Sequence, residues 1–447
     1  MVHRLWRPGS CRTRLLGALC ALAVSAAGCR AGTPARTTTT TEPNFSVGVD
    51  TETLVDPSRP TPPNGSVPGH QDRILMVSVF YPSTRSSPEQ DAPPNQSAAP
   101  YPLIVFAHGF GSNPAAYQQL LVAWASTGYV VAAPTFPLTN ADAPGGPDLA
   151  DYINQPGDLS FVVSQLEAQS QQSLALLSGM VDSSEVAAAG HSLGGVTTLG
   201  LVGNTCCLDS RIKAAVVMAG DQLTFPDGQT KVPSIPILFI HGNADETVPY
   251  ISSVLAFNAD KAPKALLTID GGDHESPVSG RAFATVVRTT TAFFDLYLKH
   301  KGSAAQLQAD GNTGRTHLAF ASRVGEKMAL PVPKSLNRKL RATVVPSSGL
   351  ADGEEVQVSW QGYKPGITVN VLECSLPLSG AQDCDLNRAD IGVADPTGSG
   401  SVGFPVHTGP IGTGVCDAAS PKCVLAVNQG GSSNPSDTAV LPISFSG

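Results

Sequence analysis

Residues 185–203 read EVAAAGHSLGGVTTLGLVG. An apolar run of small residues enters a glycine-flanked turn at Ser192, and a second apolar run leaves it. The first run suits a buried strand and the second a helix. Gly190, His191, Ser192, Leu193 and Gly194 make a G-x-S-x-G pattern, which a chain with 44 glycines can also produce by chance. Context therefore decides the reading. A strained strand-to-helix turn needs positions free of side-chain bulk on either side of its serine. Leu193 opens the helix, where a backbone N–H is free to meet an anion. The competing reading is a glycine-rich turn with a solvated serine.

Outward from this turn the chain keeps a βαβ rhythm. Upstream come the strand-like RILMVSVFYP, a loop from Ser86 to Pro100, and LIVFA (Leu103–Ala107). NPAAYQQLLVAWASTG predicts a helix ending at Gly128, YVVAAP a strand, and GDLSFVVSQLEAQSQQSLALL a long amphipathic helix. Downstream, KAAVVMAG, IPILFIHG and KALLTIDGG are three further strands. RAFATVVRTTTAFFDLYLKH closes the set as a helix whose basic end, His300 included, suits its dipole. Strands without polar alternation imply a mostly parallel sheet covered by helices on both faces. The fold class is α/β over residues 46–325, with a ligand site at the carboxyl ends of the strands. A linker follows (326–340). Short alternating strands such as EEVQVSW and TVNVLEC then predict an all-β sandwich over 341–447.

A nucleophilic serine needs a base, and the base needs an orienting acid. Asp245 lies in HGNADETVP, just after IPILFI, and His274 lies in GGDHESP, just after KALLTID. Both loops leave the sheet edge from which the Ser192 turn emerges, in the chain order serine, acid, histidine. Glu246 and Asp273 are rival carboxylates, and a turn-stabilising aspartate is the plainer reading of Asp245. His191 is set aside because its side chain should diverge from that of its neighbour Ser192. His241 is set aside because it precedes the acid. HGFGS (His108–Ser112) follows LIVFA, where the second oxyanion donor of such a site is expected. The backbone N–H groups of Phe110 and Leu193 are the candidate pair.

Together HGFGSNPAAYQQLLVAWASTGYVVAAPTFP, GHSLGG, HGNADETVP and GGDHESP resemble an α/β-hydrolase of the esterase type. The likeness is to cutinase-like polyester hydrolases, chlorophyllases and secreted acetylhydrolases, and it covers about residues 70–300. Leu193 stands where many cutinase-like enzymes have Met, which leaves the subfamily open. The resemblance implies a serine hydrolase of carboxylic esters that uses no cofactor. Between the turn and the acid the spare segment is Ala219–Pro236, 18 residues, too short for a multi-helix lid. An open site for bulky acyl or polymeric esters follows. The alternatives are a surface ligand-binding protein with an inactive hydrolase-like domain, and a serine peptidase.

Arg4, Arg7, Arg12 and Arg14 precede a 14-residue apolar run from Leu15 to Gly28, too short for a permanent membrane span. Ala26-Ala27-Gly28-Cys29 resembles the lipobox of bacterial lipoproteins, in which the signal (here 1–28) is cut before a lipidated cysteine. Ala26 replaces the usual Leu, so plain secretory cleavage is the alternative. A Thr- and Pro-rich tether (29–45) would hold the folded body off the outer face of the membrane. With a net charge of −8 and no basic run beyond the N-terminus, nucleic acid is not an expected partner.

Cys206, Cys207, Cys374, Cys384, Cys416 and Cys423 remain after export, an even set that reads as disulfides in an oxidising compartment. None has zinc-ligand spacing, so no metal is expected. The neighbours Cys206 and Cys207 could be two thiols or a vicinal bridge. LRATVVPSSGLADGEEVQVSWQGYKPGITVNVLEC with the last three cysteines resembles the neocarzinostatin family of immunoglobulin-like sandwiches. That resemblance implies the pairs Cys374–Cys384 and Cys416–Cys423. A spacer or adhesion module is the plain reading of this domain.

Overall fold

The computed structural model describes residues 44–447 apart from 86–87, 224, 227, 246, 249, 262, 324–325, 329–339, 364–367, 379–382, 386–387, 396, 420–422, 430–437 and 447. The signal segment, Cys29, nearly all of the tether, most of the linker and Glu246 lie outside these residues.

Strands β1 (Ser46–Asp56), β2 (Arg73–Ser83), β3 (Glu89–Gln90), β4 (Tyr101–Ala107), β5 (Val130–Thr135), β6 (Val181–His191), β7 (Ile212–Met218), β8 (Ile237–Gly242), β9 (Lys264–Ile269) and β10 (Thr316–Ala321) form one sheet. Their order is β10-β9-β8-β7-β6-β4-β5-β2-β1-β3. Strands β4 to β9 run parallel, and β2 and β10 flank them antiparallel. The chain steps outward from β4 to β5 and then returns to lay β6 on the other side of β4. That reversal opens a crevice at the carboxyl ends of β4 and β6, the place where such sheets hold ligands.

The absence of polar alternation in β4 has a direct cause. Leu103, Val105 and Ala107 enter one apolar core, and Ile104 and Phe106 enter the other. Helices α2 (Gln155–Ser170), α3 (Leu193–Gly203) and α4 (Tyr250–Ala259) bury Leu159, Val162, Leu199, Val202 and Phe257 on the first face. Helices α1 (Gln118–Ser126), α5 (Phe283–Tyr297) and α6 (Ala304–Gly311) bury Leu121, Trp124, Phe293, Phe294 and Leu307 on the second. Trp124 meets its one polar need there, donating to Thr290 Oγ1 at 2.9 Å.

The helix read through Leu177 stops at Ser170. Beyond it Leu174 is fully exposed, while Leu177 and Met180 are buried from a run of turns. Gly179, at φ 70°, reverses the chain and donates to Ser170 O at 2.8 Å, so the apolar residues of this stretch anchor a turn into β6. His300 corrects a second expectation. It lies past the end of α5, and its ring meets Glu185 at 3.1 Å. Arg73, at the head of β2, is fully buried between Asp151 (2.7 Å) and Asp158 (2.6 Å), pinning the start of α2 to the sheet.

Residues 341–445 hold two facing sheets. Strands β11 (Arg341–Val345), β12 (Ser348–Leu350), β13 (Glu355–Gln361), β14 (Thr368–Ser375), β15 (Asp390–Val393), β16 (Gly400–Pro405), β17 (Gly409–Ile411), β18 (Gly414–Cys416), β19 (Cys423–Gln429) and β20 (Thr438–Phe445) supply them. The sheets are β11-β13-β16 and β12-β20-β19-β14-β15, with β17-β18 as a separate hairpin. Alternation puts Val356, Val358 and Trp360 of β13 inward against Val369, Val371, Leu425 and Val427. Tyr363 packs on Trp360 and donates to Val427 O at 2.9 Å. Cys374–Cys384 and Cys416–Cys423 are bonded, and so are Cys206 and Cys207.

Candidate active site

Ser192 sits on a backbone that few side chains adopt, with φ 56° and ψ −121°. Such a conformation costs about 1–3 kcal/mol and persists only where surrounding packing holds it. The neighbouring glycines supply that packing. A Cβ at Gly190 would strike Gly194 O, and one at Gly194 would strike Ala107 O. A Cβ at Gly195 would stand 2.8 Å from Gly220 Cα, so α3 approaches the end of β7 with no room to spare. Ser192 N–H donates to Met218 O at 2.9 Å, which fastens the turn between β6 and β7.

The three side chains singled out in the sequence are joined in one hydrogen-bonded row. Ser192 Oγ is 2.8 Å from His274 Nε2, and His274 Nδ1 is 2.8 Å from Asp245 Oδ2. With carboxylate on one side and hydroxyl on the other, Nδ1 carries the imidazole proton and Nε2 accepts from Ser192. Asp245 lies in the turn after β8, and its Oδ1 accepts from Thr247 N–H (2.8 Å) and Val248 N–H (2.9 Å). Burial opposes its charge, but hydrogen bonds from His241, His274 and Val248 outweigh that and hold the carboxyl well below the usual range. Of its rivals, Asp273 is exposed and closes its own turn with Ser276.

His108–Ser112 follows β4 into the same crevice. A Cβ on Gly109 would stand 3.3 Å from Ser192 Cβ, so the loop lies directly against the serine. Gly111, at φ 63°, donates to Thr139 O at 2.8 Å. Among the described residues the N–H groups of Phe110 and Leu193 have no hydrogen-bond partner. Phe110, next to Gly109 on this loop, is 42% exposed.

Three further histidines are built into the walls. His108 donates through Nδ1 to Gly109 O (2.8 Å) and accepts Phe136 N–H at Nε2 (3.1 Å), tying the ends of β4 and β5 together. His241, set aside on sequence grounds, lies 3.1 Å from Asp245 Oδ2 and 2.9 Å from Val248 O through Nε2. Its Nδ1 lies 2.7 Å from Ser253 Oγ, so Asp245 is held by two imidazoles. His191 does not simply diverge from Ser192. Its Nε2 donates to His274 O at 2.8 Å, and its Nδ1 meets the Tyr117 hydroxyl at 3.1 Å. Burial pushes the imidazoles of His108 and His191 down to about 4, so both are neutral near pH 7.

The chlorophyllase family profile matches residues 88–232, which include the His108–Ser112 loop and the Ser192 turn. The neocarzinostatin family profile matches residues 342–445. The chain thus joins a domain similar to the chlorophyllase family to one similar to the neocarzinostatin family. The platelet-activating factor acetylhydrolase of Cavia porcellus is 24% identical over 243 residues, 46% of this chain and 53% of that protein. The chain therefore spans about half the length of this relative. The C-1027 apoprotein of Streptomyces globisporus is 35% identical over 96 residues, 20% of this chain and 66% of the relative. A solved ferulic acid esterase from Streptomyces cinnamoneus aligns with TM-score 0.46 at 23% identity, covering 59% of this chain and 93% of that one.

In the hydrolase domain one group of described side chains is close enough to share a metal ion. The ligand atoms of His191, His274 and Glu275 lie within 4.8 Å of one another. Both imidazoles already use both ring nitrogens, on Tyr117 and His274 O for His191 and on Asp245 and Ser192 for His274. An ion here would have to break that row.

Proposed function

We propose that the hydrolase domain is a serine esterase acting through an acyl-enzyme. The hydrogen-bonded row Ser192–His274–Asp245, beside two free N–H groups, is the observation that carries this reading. Ser192 Oγ attacks the ester carbonyl as its proton passes to His274 Nε2. Asp245 orients the imidazole and stabilises the imidazolium. The carbonyl oxygen gains charge against the N–H groups of Phe110 and Leu193. His274 then protonates the departing alkoxide, leaving Ser192 acylated. Water, deprotonated by the same imidazole, attacks the acyl carbonyl, and collapse returns the acid and free Ser192.

Residues 219–236 form no helix among the described residues, which supports a site without a lid. Exposed Phe110 supports a substrate with a bulky or polymeric acyl part. The three disulfides support export, with Cys29 as the lipid-bearing residue and residues 46–325 as the catalytic body. Intact-mass analysis of the membrane-bound protein reads the acylation of Cys29. Turnover of p-nitrophenyl esters of graded chain length tests the chemistry. Ser192→Ala should lower kcat on the order of 10⁴-fold or more. Undiminished turnover in that variant would refute the assignment.

A further inference from the structure

The imidazole of His191 and the hydroxyl of Tyr117 lie behind Ser192 and take no part in the proton transfers above. Both are buried, at 1% and 5% exposure. They complete a chain of hydrogen bonds from the Gly109 backbone to the His274 backbone. Gly109 N–H reaches Tyr117 Oη at 3.0 Å, Tyr117 Oη lies 3.1 Å from His191 Nδ1, and His191 Nε2 lies 2.8 Å from His274 O. The direction of every proton follows from the two ends. A backbone N–H can only donate and a carbonyl can only accept. His191 therefore holds its proton on Nε2, and its bare Nδ1 takes the proton of Tyr117. The tyrosine oxygen receives the Gly109 N–H.

We propose that Tyr117 and His191 are positioning residues, forming a brace that holds the oxyanion loop and the base loop in fixed relation across the back of Ser192. The inference rests on the esterase reading and deepens it. Gly109 immediately precedes Phe110, whose N–H is one oxyanion donor. The His274 carbonyl anchors the residue whose Nε2 meets Ser192. Both elements must be in place together in each transition state, for acylation and for deacylation. A displacement of about 1 Å at such groups costs on the order of 100-fold in rate. Burial keeps His191 neutral, the only charge state with the lone pair that Tyr117 needs.

The test is steady-state hydrolysis of p-nitrophenyl acetate by the full chain, with active sites counted by fluorophosphonate titration. Tyr117→Phe is nearly isosteric but has no hydroxyl. His191→Leu removes both bonds, whereas His191→Gln keeps an amide N–H for the His274 carbonyl. Tyr117→Phe and His191→Leu should each lower kcat per titrated site about 10- to 100-fold, with KM within about twofold. His191→Gln should recover part of the loss, and the double variant Tyr117→Phe/His191→Leu should be little worse than His191→Leu alone. A purely structural role would lower melting temperature and the number of titrated sites while leaving kcat per site unchanged. That result in both Tyr117→Phe and His191→Leu would overturn the brace and leave the esterase reading standing. A wild-type protein that neither titrates nor turns over would overturn the esterase reading, and the brace with it.

Discussion

The row around Ser192 and the core of the sandwich treat buried polar groups in opposite ways. At the carboxyl edge of the hydrolase sheet, Ser192, Tyr117, His191, His241, Asp245 and His274 are joined through paired donors and acceptors. In the sandwich, Trp360 Nε1 and Glu373 Oε1 are buried without a partner among the described residues. Burial pushes the Glu373 carboxyl up to about 7, and its other oxygen accepts His407 N–H at 2.9 Å. The stabilising devices differ as well. The hydrolase sheet has two large apolar cores, one on each face, whereas the sandwich has a small core and two disulfides that close short loops. Chemistry is legible where polar groups converge with defined proton directions.

Substitutions in the two domains should therefore have separable effects. The largest is on rate. Asp245→Asn should lower kcat about 10³- to 10⁴-fold, because an amide at this position favours the wrong tautomer of His274. Melting of the sandwich should not change, and a variant with more than a tenth of wild-type kcat would show that another carboxylate orients the base. Next comes stability of the hydrolase domain. Arg73→Ala leaves Asp151 buried without its cation and Asp158 with Arg59 alone, which should cost about 3–5 kcal/mol in urea unfolding. A loss below 1 kcal/mol would mean that Arg59, 2.9 Å from Asp158, carries the load. Smallest is the staple. Cys374→Ser with Cys384→Ser should destabilise the sandwich by about 2–3 kcal/mol in scanning calorimetry, from the loop entropy released. Ester turnover should stay within about twofold of wild type; a larger fall would couple the two domains.

Much of this contrast was written in the sequence, and the part that was not has physical causes. LIVFA and the run into Ser192 advertise buried parallel strands because both faces of each strand are apolar. β1, SVGVDTETLVD, carries polar residues and pairs with β2 at the far side of the sheet, so no apolar run betrays it. Arg73 heads a strand and looks like a surface cation until α2 brings two carboxylates onto it. Ser192, Asp245 and His274 could be picked out because each sits in a loop at the end of a strand. His191 and His241 could not, since each is the last or nearly the last residue of a strand and its partner lies in a distant loop. The order of polar residues in HGFGSNPAAYQQ gives no sign that Tyr117 reaches back to Gly109 and across to His191.

The central claim is that Ser192 is the nucleophile of an esterase. Treatment of the folded full-length chain with a fluorophosphonate, followed by peptide mass spectrometry, tests it most directly. A single phosphonyl adduct on Ser192, abolished by unfolding the protein before treatment, is the predicted result. An unmodified Ser192, or an adduct on another serine at equal yield, would contradict it.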